Sequence, residues 1–294
     1  MSLLIKLRHR IRAIETTKKV THAMRLISMS SHTQLKGRHD ALMLYKGSVH
    51  DLFKKVMAAG IASSYKESDA SGKGNDRPLV ILIGSQKGLC GIFNSSLFAF
   101  FEKSMAQSPE KKPFFIAIGK KAVDYIQTHA HGGSTVALYD TLTINNHLVL
   151  ARKLTDMILQ QKEPYTSVIV FSNVLRGFFM QKPMETVLLP LQEEFAATST
   201  AKKGSEEKLQ EEYIWEQAPN DVISALSQHY FEVSLQYLLF QSLLAEHAAR
   251  FLSMDTATRN ADNLLETTKI SYNKLRQAKI TKELAELAGS FQSE

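Results

Sequence analysis

"ISYNKLRQAKITKELAELAG", residues 270–289, is a helix-forming run with lysine and arginine on one side and leucines on the other. It belongs to something longer. Reading back from Leu287, no proline appears until Pro219 and no glycine until Gly204, so neither strong helix breaker interrupts residues 220–288. Asn220 and Asp221 supply a helix start and Gly289 a stop. From Leu226, steps of four and three pass through Tyr230, Val233, Tyr237, Phe240, Leu244, His247, Phe251, Met254, Thr258, Ala261, Leu265, Thr268, Tyr272 and Leu275. That is the heptad spacing of a coiled coil. A helix of this length runs roughly 100 Å, too far to be buried inside this protein alone.

The opposite end of the chain has the same character. Residues 1–77 contain no proline, and Met24, Ser28, Ser31, Leu35, Arg38, Leu42, Tyr45, Val49, Leu52 and Val56 also step by four and three. Leu4, Leu7, Ile11, Ile14, Lys18 and Thr21 keep the rhythm upstream, with a register slip of one residue expected between Thr21 and Met24. Two long amphipathic helices at opposite termini most simply pair with each other, antiparallel.

Between them the period changes. All seven prolines, from Pro78 to Pro219, lie in this middle part. "PLVILIGS" (78–85), "PFFIAIG" (113–119), "STVALY" (134–139), "SVIVFSN" (167–173) and "METVLLP" (184–190) read as buried strands. Helical stretches near 93–106, 120–129 and 146–161 separate them. Alternating strands and helices imply a mostly parallel sheet covered by helices. The expected class is therefore α/β: a long antiparallel coiled coil of N- and C-terminal helices with an inserted Rossmann-like domain. The parts are 1–77 (helix and linker), 78–218 (α/β domain, with an exposed loop over 192–218) and 219–294 (C-terminal helix).

Composition narrows the function. The single cysteine, Cys90, excludes an internal disulfide framework and suits a reducing compartment. No apolar run is long enough to cross a membrane. The basic, amphipathic start resembles a mitochondrial transit peptide, but the same pattern continues past residue 50, which argues against one. Residues 1–60 hold 12 Lys and Arg against Glu15, Asp40 and Asp51, whereas residues 220–294 hold 7 basic and 9 acidic residues. The excess positive charge sits on the first helix, where an acidic partner is expected. Nucleic acid is one such partner, but the basic residues are spread around the helix and "TTKKVTHAMRLISMSSHT" lacks stacking aromatics.

Catalytic motifs are absent from the sequence. "GSQKGLCG" (84–91) follows a strand and precedes a helix, where a phosphate loop would sit, yet it fails the Gly-x-x-x-x-Gly-Lys-Ser/Thr pattern and matches Gly-x-Gly-x-x-Gly only in part. Its glycines suit a tight strand-to-helix turn. His129 and His131 are the only close histidine pair and have no nearby Cys or His to complete a metal set. Two further classes stay open: a nucleotide-binding α/β enzyme with a coiled-coil arm, and a basic coiled-coil nucleic-acid binder.

Four segments carry a resemblance. "IRAIETTKKVTHAMRLIS" (11–28), "KGLCGIFN" (87–94), "YIWEQAP" (213–219) and "ATRNADNLLETTKISYNKLRQAKITKELAEL" (257–287) resemble the gamma subunits of F-type ATP synthases, in the family's order and over nearly the whole chain. The resemblance implies a central rotor stalk. The helical hairpin would thread a catalytic hexamer of alpha and beta subunits, and the α/β domain would sit at the foot against epsilon and the ring of c subunits. It implies no catalysis, cofactor or metal on this chain, with Mg-ATP and ADP held by beta, and no nucleic-acid partner. It also implies a peripheral membrane protein on the cytoplasmic face of a bacterial inner membrane, coupled to proton or sodium flow.

The same resemblance implies roles for residues. Ile280, Leu284, Leu287 and Phe291 would form a bearing surface inside an apolar sleeve, and Arg276, Gln277, Thr281 and Glu283 the polar contacts to beta. Met24 and Arg25 would lie beside an acidic part of beta. Gly88, Leu89, Cys90, Gly91 and Asn94 would form a turn in the foot domain. Departing from the family pattern, Asp255 precedes Arg259 where the basic residue usually comes first, a reversed pair still able to attract at helical spacing.

Overall fold

A computed structural model describes residues 3–58, 77–107, 113–129, 133–160, 165–190 and 219–291. The loop expected over 192–218 and His131 lie outside them. In chain order the elements are α1 (Leu3–Ala58), β1 (Leu79–Ile83), α2 (Phe93–Ala106), β2 (Phe114–Ile118), α3 (Lys120–Thr128), β3 (Ser134–Tyr139), α4 (His147–Leu159), β4 (Val168–Gly177), β5 (Met180–Leu189) and α5 (Pro219–Phe291). They form two compact units, one of residues 31–249 and one of residues 1–30 with 250–294.

The larger unit is organised by a five-stranded sheet of order β3-β2-β1-β4-β5. β1 pairs in parallel with β2 and β4, and β2 with β3, while β5 runs antiparallel to β4. Side chains alternate between two cores, as the pleat requires. Leu79, Ile81, Ile83, Ile116, Ile118, Val168 and Val170 face α4 and the Phe231–Leu243 part of α5. Val80, Leu82, Phe115, Ala117 and Phe171 face Leu97 and Phe101 of α2 and Val123 and Ile126 of α3. Helices therefore cover both faces, and all five residues of β1 are buried, which explains their unbroken hydrophobic run.

Three expectations change here. β3 is half-buried or exposed and most of β5 half-buried rather than buried, because each is a sheet edge. β4 and β5 extend beyond the stretches read as strands and meet through a turn at Phe178–Phe179. Their outer ends interleave Arg176, Gln181 and Lys182 with Val174, Leu175 and Met180, so no unbroken apolar run marks them. The middle of α5 has more than the one buried seam that the heptad reading gave. Phe231, Leu235, Leu238 and Leu239 pack on the sheet, whereas Tyr230 packs on Val49 and Phe53, and Phe240 and Leu244 on Leu35.

The α1 seam is also corrected. In this unit Arg38, Tyr45 and Leu52 are exposed, whereas Ser31, His32, Leu35, His39, Leu42, Lys46, Val49, His50, Phe53 and Val56 are buried or half-buried. All of these but Ser31 and His50 continue the steps of Leu4, Leu7, Ile11, Ile14, Lys18, Thr21, Arg25 and Ser28, so a heptad without a slip runs along α1. Arg25, His32, His39 and Lys46 share the heptad position of Lys18, and the sequence reading, which kept Lys18, stepped around these four.

In the smaller unit the two helices run antiparallel. Arg8 reaches Tyr272, Glu15 pairs with Lys269, Lys18 with Asp262, and Arg25 with Asp255. Ile14, Ser28, Met254, Thr258, Ala261 and Thr268 are buried between them. Small hydroxyl residues let the backbones approach and dispose of their own polarity. Ser28 Oγ donates to Met24 O at 2.8 Å, Thr258 Oγ1 to Met254 O at 2.7 Å, and Thr268 Oγ1 to Leu264 O at 2.6 Å. α5 starts at Pro219, before the expected Asn220 and Asp221, since proline lacks only an N–H that the first turn leaves unbonded. It runs through Gly289 to Phe291, because glycine permits a helix stop without imposing one.

Candidate partner-contact site

The end of α5 departs from the pattern of the rest of the smaller unit. From Asn273 to Leu287 every side chain is exposed. Ile280, Leu284 and Leu287 recur at four and three residues and so share one helix face, with Leu284 61% exposed. Thr281 Oγ1 donates to Gln277 O at 3.0 Å, and Glu283 pairs with Lys279 at 3.3 Å, one helical turn back. Arg276, Gln277, Ile280, Thr281, Glu283, Leu284 and Leu287 are thus brought together on a single exposed stretch. Such an exposed apolar stripe on a charged helix makes this stretch a candidate contact surface. The side chain of Phe291 lies outside the described residues.

Met24 and Arg25 sit differently. Met24 is half-buried, and the Arg25 guanidinium donates to Asp255 Oδ1 at 2.6 Å and to His22 Nδ1 at 3.0 Å. Asp255 also accepts from Arg259 at 2.7 Å, the attraction expected from the reversed pair. The hydrogen bond from Arg25 pulls the Asp255 carboxyl below its ordinary value of 3.8, desolvation opposes this, and the charges of Arg259 and Arg25 add to the lowering. Arg25 therefore acts first as a seam residue. Sequence reasoning missed Val20, Leu26 and Ile27, all more than half exposed on α1 of this unit. Their departure from the seam was the signal.

In the larger unit the turn after β1 holds Gly88, Leu89, Cys90, Gly91 and Asn94 together. Ser85 N–H donates to Asn94 Oδ1 at 3.0 Å, Asn94 Nδ2 donates to Ser85 Oγ at 2.8 Å, and Ser85 Oγ donates to Lys87 O at 2.9 Å. Asn94 Nδ2 also lies 3.3 Å from Cys90 Sγ, and Cys90 is buried with Phe93 against Ala245 and Ala249. Gly91 takes φ +59° and Leu89 φ +63°. Cys90 is thus a packing residue of this turn. Among the described residues no cluster of His, Cys, Asp and Glu could hold a metal ion, and no helix is long and apolar enough to cross a membrane.

Comparison with known proteins agrees with this architecture. The ATP synthase gamma chain of Chlorobium phaeobacteroides (strain BS1) is 28% identical over 305 residues, covering 100% of this chain and 99% of the relative. That of Christiangramia forsetii is 28% identical over 299 residues, again covering 100% and 99%. Among solved structures, a chain in the central stalk and c-ring of Tetrahymena thermophila mitochondrial ATP synthase superposes with TM-score 0.54 at 16% identity, over 81% of this chain and 99% of that one. A chain of Euglena gracilis mitochondrial ATP synthase gives TM-score 0.54 at 16% identity, over 92% and 95%. These two likenesses concern the fold. The family model described as ATP synthase matches residues 4–293, and the chain belongs to that family.

Proposed function

We propose that this chain is the central rotor stalk of a rotary ATP synthase, coupling ion flow through a membrane c ring to ATP synthesis or hydrolysis on the beta subunits. The observation that carries the reading is the family match over residues 4–293, joined by gamma-chain relatives that cover the whole chain. The exposed stretch 273–287 supports it. A helix end with an apolar stripe and adjacent polar groups suits rotation against a sleeve of alpha and beta subunits, with Arg276, Gln277, Thr281 and Glu283 sensing the angle.

Met24 and the apolar residues Val20, Leu26 and Ile27 add a second contact face, and the turn 88–94 belongs to the foot with epsilon and the c ring. Mg-ATP and ADP bind to beta, and this chain transmits torque without catalysis. The stalk reaches the membrane only through the complex, on the cytoplasmic face. Coupling requires unequal contacts: a shaft that touched all three beta subunits alike would shift no equilibrium among them.

Reconstitution tests the proposal. The full chain is mixed with alpha and beta subunits, with cysteine introduced at Ile280 or Leu284. The expected result is a stable complex with ATP hydrolysis above that of alpha and beta alone, and cross-links from those positions to both subunits. Failure to join the hexamer, or tight stoichiometric ATP binding by this chain alone, overturns the reading.

A further inference from the structure

Glu246, on the part of α5 that packs in the larger unit, is only 5% exposed. Its carboxylate accepts from the backbone N–H of Gln86 at 3.2 Å through Oε2 and from that of Lys87 at 3.5 Å through Oε1. Both donors lie in the turn that leaves the carboxyl end of β1. β2 and β3 lie to one side of that strand and β4 to the other, so this is where the strand order reverses. In open α/β sheets such a point is the usual ligand crevice, and successive backbone N–H groups in its turn commonly receive a phosphate.

We propose that Glu246 is the built-in anion of this turn. The chain's own carboxylate takes the position that a ligand anion takes in nucleotide-binding sheets of this topology, and it fixes the turn to α5. The rest of the turn is closed locally by Ser85 and Asn94, which leaves the Gln86 and Lys87 amides to the carboxylate. What the latch holds is strained and outward-facing. Leu89 keeps a left-handed backbone, which a non-glycine residue rarely adopts. It is 60% exposed and Ile92 is 78% exposed, so neither is anchored by burial. Glu246 is thus a positioning residue, presenting this apolar pair in one orientation. The inference goes beyond the stalk reading and does not depend on it.

Amide hydrogen exchange on the full-length chain tests it. Glu246→Ala is expected to speed exchange at Gln86 and Lys87 about tenfold or more, while the amides of Leu79–Ile83 keep wild-type rates. Sodium formate, supplying a free carboxylate, is expected to restore protection where equal sodium chloride does not. Glu246→Gln, which retains one acceptor oxygen, is expected to fall between. Unchanged exchange in the turn, a uniform rise through β1, or formate acting no better than chloride overturns the proposal. If Glu246→Ala does not fold, Glu246→Gln decides. Faster exchange confined to the two amides supports the latch, and wild-type or uniformly raised exchange refutes it.

Discussion

Asp255 is held from two sides, by Arg259 one helical turn on and by Arg25 of the opposite helix. Because the Asp255 carboxyl titrates below 3.8 when folded, its contribution is complete above that value and is lost as pH falls through the folded value. Asp255→Asn should lower the thermal midpoint at pH 7 and reduce the difference between wild type and variant at pH 3, as circular dichroism melts would show.

Two histidines of the larger unit act at higher pH. Burial pushes His32 below 6.5, with Lys36 adding to it. Burial likewise lowers His147, with Arg38 adding and the hydrogen bond to Ile144 O opposing. The unfolded chain then binds more protons than the folded one below pH 6.5, so stability should decline as pH drops from 7.5 to 5.5. Urea midpoints should show that decline, and His32→Leu with His147→Gln should flatten it.

At the scale of elements, the first two strands and the helices α2, α3 and α4 were the most legible features. β1 and β2 are bounded by proline or glycine and buried on both faces, so their hydrophobic runs are unbroken. The outer half of the β4–β5 hairpin and the sheet-facing side of α5 were not legible, since one depends on pairing and the other on a partner distant in sequence. The turn after β2 shows how tightly elements meet. Gly119 has φ +89°, and a Cβ there would lie 2.3 Å from Gly84 O. Gly119→Ala should therefore cost at least ~2 kcal/mol. Gly88→Ala meets nothing within 4 Å and should stay within about 0.5 kcal/mol of wild type. Chemical denaturation of both variants checks the contrast.

For the molecule as a whole, the family was legible because its segments recur in order along the chain, whereas the internal fixation of the β1 turn by Glu246 was not, since nothing in the sequence pairs residue 246 with residue 86. If the polar groups near the end of α5 sense the beta subunits, Arg276→Ala with Glu283→Ala should reduce ATP turnover of the reconstituted complex about tenfold if those contacts are buried there. Truncation after Leu287 should reduce it less. A truncated stalk that is the slower of the two, in an equally assembled complex, would mean that the tip itself carries the torque. A subunit that must find its partners also has to avoid itself. Among the described strands β5 is unpaired on its outer side, and it carries Lys182 and Pro183 near its start. Proline cannot donate to an added strand, and stacked lysines repel. That edge is thereby guarded against strand addition by a second copy, whereas β3, the other edge, has neither lysine nor proline within Ser134–Tyr139.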